Sequence, residues 1–167
     1  MPPTLETPRL RLREWRLADF DAFADFRACA AHQAHVGSPV PREQAWGEFC
    51  AKAGEWQVRG LGTFLVARRD TDAAVGYTGL WYPPDIGEPE LCWSLFPGYT
   101  GKGLATEAAL AARDWAYRAL NLAPLMSFVH PDNRASRAVA ERLGARLERE
   151  TTLRGEPRLC YRHPGPA

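Results

Sequence analysis

Residues 98–106 read GYTGKGLAT, with Gly101 and Gly103 one residue apart between an apolar strand end and an alanine-rich helix. Glycine lets the main chain turn sharply and approach a ligand with no Cβ in the way. At the first turn of a helix the N–H groups lack intrahelical partners and lie at the positive end of the helix dipole. Together these features make a nest of amides suited to a phosphate or diphosphate. Two other phosphate loops do not fit. A P-loop needs G-x-x-x-x-G-K-[ST], but Phe96 stands five positions before Gly101, and Lys102 is followed by Gly103. A dinucleotide fingerprint needs G-x-G-x-x-G in a parallel βαβ unit, but Thr106 takes the third glycine's place. A tight turn that holds no ligand is the alternative.

The wider context adds to this. ELCWSLFPGYTGKGLATEAA (90–109) together with HPDNRASRAVAERLGA (130–145) resembles the GNAT superfamily of acyl-CoA-dependent N-acetyltransferases. Within it, the closest likeness is to the RimJ/RimL-like ribosomal-protein N-terminal acetyltransferases, which the opening TPRLRLREW and the strand GYTGL also resemble. The resemblance implies acetyl-CoA as co-substrate, its diphosphate on the amides of Thr100, Gly101, Lys102, Gly103, Leu104 and Ala105. It implies a pantetheine arm lying as a pseudo-strand beside Leu95 and Phe96, where the central strands splay. Asn133 and Ser136 match the family's N-x-x-[SA] positions near the pantetheine and the thiol, although Asn133 could equally cap its helix and leave Ser136 exposed. Two departures stand out. The family often has Gln or Arg three residues before the first glycine of the loop, and this chain has Gly98; many members have a tyrosine seven residues after the asparagine, and this chain has Ala140.

Acetyl transfer needs a neutral amine, a stabilised oxyanion and a thiolate that can leave. A main-chain N–H on the splayed strand can serve the oxyanion. For the base, Glu90 is the best candidate: Glu90, Cys92, Ser94 and Phe96 alternate onto one face of a strand, and Leu91, Trp93 and Leu95 onto the other. An exposed glutamate at a strand end is the other reading. Glu88 and Asp85 lie in the preceding loop as weaker choices, and Glu107 suits a structural role. With no tyrosine at position 140, Ser136 remains as a hydroxyl that can donate to sulfur. Cys92 is better read as strand core than as a nucleophile, so direct transfer is expected. Trp81, Tyr82 and Trp93 are candidates to line an acceptor cleft, with core packing as their alternative. His130 offers an auxiliary base or a helix cap.

A site with such modest machinery suits an α-amine, whose pKa of about 7.7–8.0 lies far below lysine's 10.4 or so. The expected acceptor is a protein or peptide N terminus. A small-molecule amine such as a polyamine or aminoglycoside is a second reading, favoured if Asp85, Glu88 and Glu90 make the cleft acidic. A non-catalytic acyl-CoA-binding module is a third. A homodimer is compatible with the family likeness.

Positioning these groups falls to elements readable from periodicity. RLRLREW (9–15) predicts a first strand and Asp19 a helix N-cap. A helix follows Pro41 with Trp46, Phe49, Cys50 and Ala53 at helical spacing. TFLVARR, AVGYTGLWY and ELCWSLF predict a meander of three strands. Leu104, Ala108, Ala112, Trp115 and Ala119 stripe the next helix, with Asp114 and Arg118 paired outside. LMSFV is a short buried strand, and a helix with Ala135, Val139 and Leu143 inward stops at Gly144. Two last strands flank a turn at Gly155-Glu156. The order predicts an α+β class, one acetyltransferase domain over 1–167 with a largely antiparallel sheet.

The bulk composition agrees. The chain has 167 residues and a formal net charge of +1, enough for a real core and too balanced for a nucleic-acid partner. No apolar run approaches a membrane span of about 18 residues, and the N terminus lacks a signal-peptide core. A cytoplasmic protein with no membrane partner is expected. Cys29, Cys50, Cys92 and Cys160 form no C-x-x-C pair, and H-x-x-H at His32 and His35 is a weak pattern, so no metal is expected.

Overall fold

The computed structural model describes residues 1–84 and 86–166. The strands are β1 (Leu5–Glu6), β2 (Leu10–Arg13), β3 (Thr63–Arg68), β4 (Ala74–Trp81), β5 (Glu90–Leu95), β6 (Met126–Val129), β7 (Arg146–Leu153) and β8 (Glu156–Arg162). They form one eight-stranded sheet in the order β1-β2-β3-β4-β5-β6-β8-β7. Every neighbouring pair is antiparallel except β5 and β6. Helices α1 (Phe20–Ala28), α2 (Ala30–Gln33) and α3 (Arg42–Arg59) lie between β2 and β3; α4 (Leu104–Leu120) crosses from β5 to β6, and α5 (Arg134–Arg142) links β6 to β7. The α+β class with a mostly antiparallel sheet is the one read from the sequence.

Small residues let α4 sit low on the sheet. Leu104, Ala108, Ala112 and Ala116 are buried with Leu10, Leu12, Phe64 and Leu91 in one core cluster. Ala116 takes the inward place expected of Ala119, which is exposed. Asp114 meets its neighbour Arg113 at 3.4 Å rather than Arg118. A second cluster, around Phe23, Phe26, Phe49 and Phe96, packs α1 and α3 on the sheet. In α3 the buried stripe is Ala45, Phe49 and Trp56, while Trp46, Cys50 and Ala53 are exposed. The spacing of that stripe places a single row of side chains toward the sheet. In α5 the inward residues are Val139 and Ala140, with Leu143 just beyond the helix. Ala135, expected inward, is exposed.

Local chemistry shifts two other expectations. Asp19 does not cap α1 through its side chain; its buried carboxylate receives Arg13 at 2.8 and 2.9 Å and the Arg16 N–H at 2.8 Å. A buried guanidinium needs a partner more than a helix end does. The β7–β8 turn falls one residue early, at Arg154 and Gly155, both with positive φ (52° and 83°). That handedness matches the twist of a tight hairpin.

Candidate active site

The sheet opens in its middle. β5 and β6 share a single paired position, Glu90 with Met126. Beyond it, side chains replace the ladder. The Phe128 N–H donates to Glu90 Oε1 at 3.0 Å, and Ser127 Oγ donates to the Leu91 carbonyl at 2.5 Å. On the other edge of β5, the Phe96 N–H donates to the Val75 carbonyl. Antiparallel bonding alternates, so even-numbered β5 residues serve β4, and the main-chain groups of Trp93 and Leu95 point into the opening. Those groups are where an extended ligand arm would add to the sheet.

A cavity of about 450 Å³ lies at this opening, walled by Lys52 of α3, Tyr77 and Trp81 of β4, Glu90 to Ser94 of β5, Ser127 to His130, and Arg158 of β8. Glu90 is buried, not the exposed strand-end residue that was the alternative reading. Desolvation pushes its carboxyl up to about 7, against the Phe128 N–H and the positive charges of Arg158, Arg154 and Lys52. A carboxylate so poised can accept a proton near neutral pH. Cys92 lies on the same wall, and burial pushes its thiol up to about 12, which leaves it without thiolate character.

The glycine loop lies at the head of α4. Gly98, Gly101 and Gly103 have φ of 87°, 75° and 73°, a region that side chains with a Cβ avoid. Space beside Gly98 and Gly101 is open, with nothing within 4 Å of an added Cβ. Among the described residues, the N–H groups of Gly101, Gly103, Leu104, Ala105 and Thr106 donate to no partner. Open space over a run of unspent amides at a helix start fits an oxyanion such as a diphosphate. The loop is braced from behind. Glu107 accepts from Thr7 Oγ1 at 2.6 Å, the Arg9 N–H at 3.0 Å and Arg9 Nε at 2.7 Å, and Arg9 Nη1 donates to the Lys102 carbonyl at 2.9 Å. Lys102 Nζ is turned back onto the Gly98 carbonyl at 2.8 Å.

The other expected residues divide. Asn133, Ser136, Trp81 and Trp93 line the cavity. Asn133 Oδ1 accepts the Ser136 N–H at 3.1 Å, so it also caps α5. Tyr82 is not on the cavity wall; its hydroxyl meets the Gly87 carbonyl at 3.4 Å and Arg59 sits over its ring. Phe96 buries its ring beside Phe26 and spends its N–H on Val75, because the strand ends there and turns into the core. Leu104 is buried and offers only its main chain. Leu95 packs half-buried on the α4 core. Glu88 is held by Arg162 at 2.7 and 2.9 Å, and Asp85 lies outside the described residues. His130 Nδ1 accepts the Asp132 N–H at 3.2 Å and its ring stacks on His35. Among the described residues no cluster of ligands could hold a metal ion.

Several groups at the site do not follow from the sequence, His163 first among them. His163, fully buried, lies 2.9 Å from Ser127 Oγ. Since that hydroxyl donates to Leu91, the ring donates through Nε2 and Nδ1 is bare, and it has no partner. Burial, with Arg113 and Arg162 nearby, pulls its pKa down to about 4. His163 thus holds the Ser127 hydroxyl that spans the opening. Beyond Ser136, the cavity wall carries hydroxyls at Ser94, Ser127 and Tyr77, which alternation alone could not gather from three strands.

Comparison with known proteins places this geometry. A model of the acetyltransferase (GNAT) domain matches residues 9–146. The uncharacterized N-acetyltransferase YnaD of Bacillus subtilis is 28% identical over 146 residues, 86% of this chain and 83% of that protein. A crystal structure of an acetyltransferase from Agrobacterium tumefaciens superposes with a TM-score of 0.89 at 41% identity, covering 98% of this chain and 95% of that one. The ribosomal-protein-S5-alanine acetyltransferase of Vibrio fischeri shares the fold, with a TM-score of 0.76 at 20% identity and 96% of both chains covered.

Proposed function

The chain belongs to the GNAT family of acetyltransferases, and from that premise we propose that it moves the acetyl group of acetyl-CoA directly onto an α-amine at a protein or peptide N terminus. Acetyl-CoA is the acyl donor of this fold and supplies the activated thioester. The chain's own residues supply the rest. The loop from Thr100 to Ala105 presents amides to the diphosphate, and the open edge of β5 presents main-chain partners to the pantetheine arm and a Trp93 or Leu95 N–H to the oxyanion. Glu90 takes the proton from the attacking nitrogen. As the carbon–sulfur bond breaks, the Ser136 hydroxyl donates to the departing thiolate, whose basicity near that of cysteine, about 8.5, asks for little help.

The observation that carries this reading is Glu90: a buried carboxylate on the cavity wall, fixed by the Phe128 N–H, with a pKa of about 7. The unreactive Cys92 thiol supports direct transfer over an acyl-enzyme. The α-amine is favoured because at pH 7.5 its neutral form costs under about 1 kcal/mol, against about 4 for lysine. The likeness to ribosomal-protein acetyltransferases supports the same acceptor, and four free cysteines suit a cytoplasmic setting.

The test pairs two forms of one peptide, one with a free α-amine and acetylated lysine, the other the reverse, and follows release of CoA at pH 7.5. The α-amine form is expected to be used with a kcat/KM about 100-fold higher. Equal use, or preference for the lysine, overturns the acceptor assignment.

A further inference from the structure

We propose that the acceptor carries a carboxylate close to its amine, and that Lys52 and Arg158 receive it; this deepens, and rests on, the acetyl-transfer reading above. Among the described residues the cavity's two acids are already engaged. Glu48 holds Arg27 at 2.6 and 3.1 Å, and Glu90 is bound to the Phe128 N–H. Glu88, which would have made the cleft acidic, is outside the cavity wall on Arg162. Two of the cavity's cations, Lys52 and Arg158, stand differently. Lys52 Nζ rests over the rings of Tyr77 at 4.1 Å and Trp81 at 5.4 Å, and Arg158 Nη1 donates to the Pro157 carbonyl at 2.8 Å. Among the described residues neither forms an ion pair, although both are half-buried.

Half-buried cations with no direct ion pair, whose charge reaches Glu55 and Glu90 at longer range, gain from an incoming carboxylate that bonds them directly. The donor's phosphates do not fill this place, because none of residues 95–105 is on the cavity wall that holds Lys52 and Arg158. The positive charge of Lys52 and Arg158 also reaches Glu90 across the cavity. A polyamine or aminoglycoside would bring further ammonium groups into this field and be repelled. A carboxylate beside the amine turns the same field into attraction, and aromatic rings remain for an apolar part.

Two acceptor pairs differing only in that charge decide the question. Aspartic acid α-amide against asparagine amide represents a small amine; a peptide beginning Ala-Asp against one beginning Ala-Asn represents a protein terminus. The carboxylate member of at least one pair is expected to show a kcat/KM about tenfold higher or more, and the pair that discriminates identifies the source. Arg158→Gln should bring that ratio toward one, and Arg158→Glu should invert it. Ratios of one in both pairs for the wild type, or a ratio untouched by Arg158→Gln and Lys52→Met alike, overturn the proposal while leaving acetyl transfer standing. If no acceptor is turned over, the acetyl-transfer reading fails instead. Calorimetry of the same pairs on the CoA complex then decides, with equal affinity of acid and amide counting against the proposal.

Discussion

Glu90 concentrates the chemistry in one side chain, and its pKa sets two signs. As a base it must be ionised while the amine is neutral, so log kcat/KM should climb with a slope near two below pH 7, where both titrate. Glu90→Gln keeps an oxygen for the Phe128 N–H but cannot take a proton. It should lower kcat by about 10²–10⁴-fold and reduce that slope to one. An unchanged rate or slope would remove Glu90 from the base role. Stability carries the opposite sign. A carboxyl raised from 4.5 to about 7 binds its proton more tightly folded than unfolded. Its stabilising share is therefore present below pH 4.5 and lost as pH rises through 7. Relative to wild type, Glu90→Gln should gain about 3 kcal/mol across that interval in urea titrations. His163, lowered to about 4, runs the other way, its share lost as pH falls from 6.5 toward 4, so in the wild type it opposes the Glu90 share, and the difference between variant and wild type is the quantity to read. The candidacy of Glu90 was legible from strand alternation. Its burial was not, since the partner that fixes it is Phe128, on a strand reached only through α4.

The glycine loop and the open edge of β5 do the positioning, and here sequence and structure meet most closely. Positive φ at Gly98, Gly101 and Gly103 follows from consecutive residues, and local information sufficed to find the turn and the helix behind it. What sits behind the loop did not follow, because Thr7 and Arg9 reach Glu107 across nearly a hundred residues. Phe96 is a related case: it follows the last residue of β5, and which edge its N–H serves depends on the register with β4. Gly103→Val tests the element directly. An added Cβ meets only Arg9 Nη2, at 3.6 Å, so the change should cost about 1–2 kcal/mol from the left-handed backbone alone and leave the fold intact. CoA affinity should fall well beyond that cost. Intact affinity in a folded variant would place the diphosphate elsewhere.

Over the whole molecule, the sheet is held closed on both flanks and open at one seam. Antiparallel pairing is continuous from β1 to β5 and again from β6 through β8 to β7, while at the seam Ser127, His163 and Glu90 do what a ladder would do. The α+β class and the order of elements were readable because each helix and strand kept its own period. The gathering of Lys52 from α3 and Arg158 from β8 around Glu90 was not, because it depends on where distant segments land. Acetyl transfer by this route requires the nest to grip the nucleotide end of the donor so that its acyl carbon comes within reach of the amine beside Glu90. The most direct measurement is calorimetric titration of the purified protein with CoA and, separately, with pantetheine, which lacks the diphosphate. The account predicts one CoA per chain and an affinity at least about 100-fold weaker for pantetheine, from two or more charge-assisted bonds lost. Equal affinity for the two, or no heat with CoA, would contradict it.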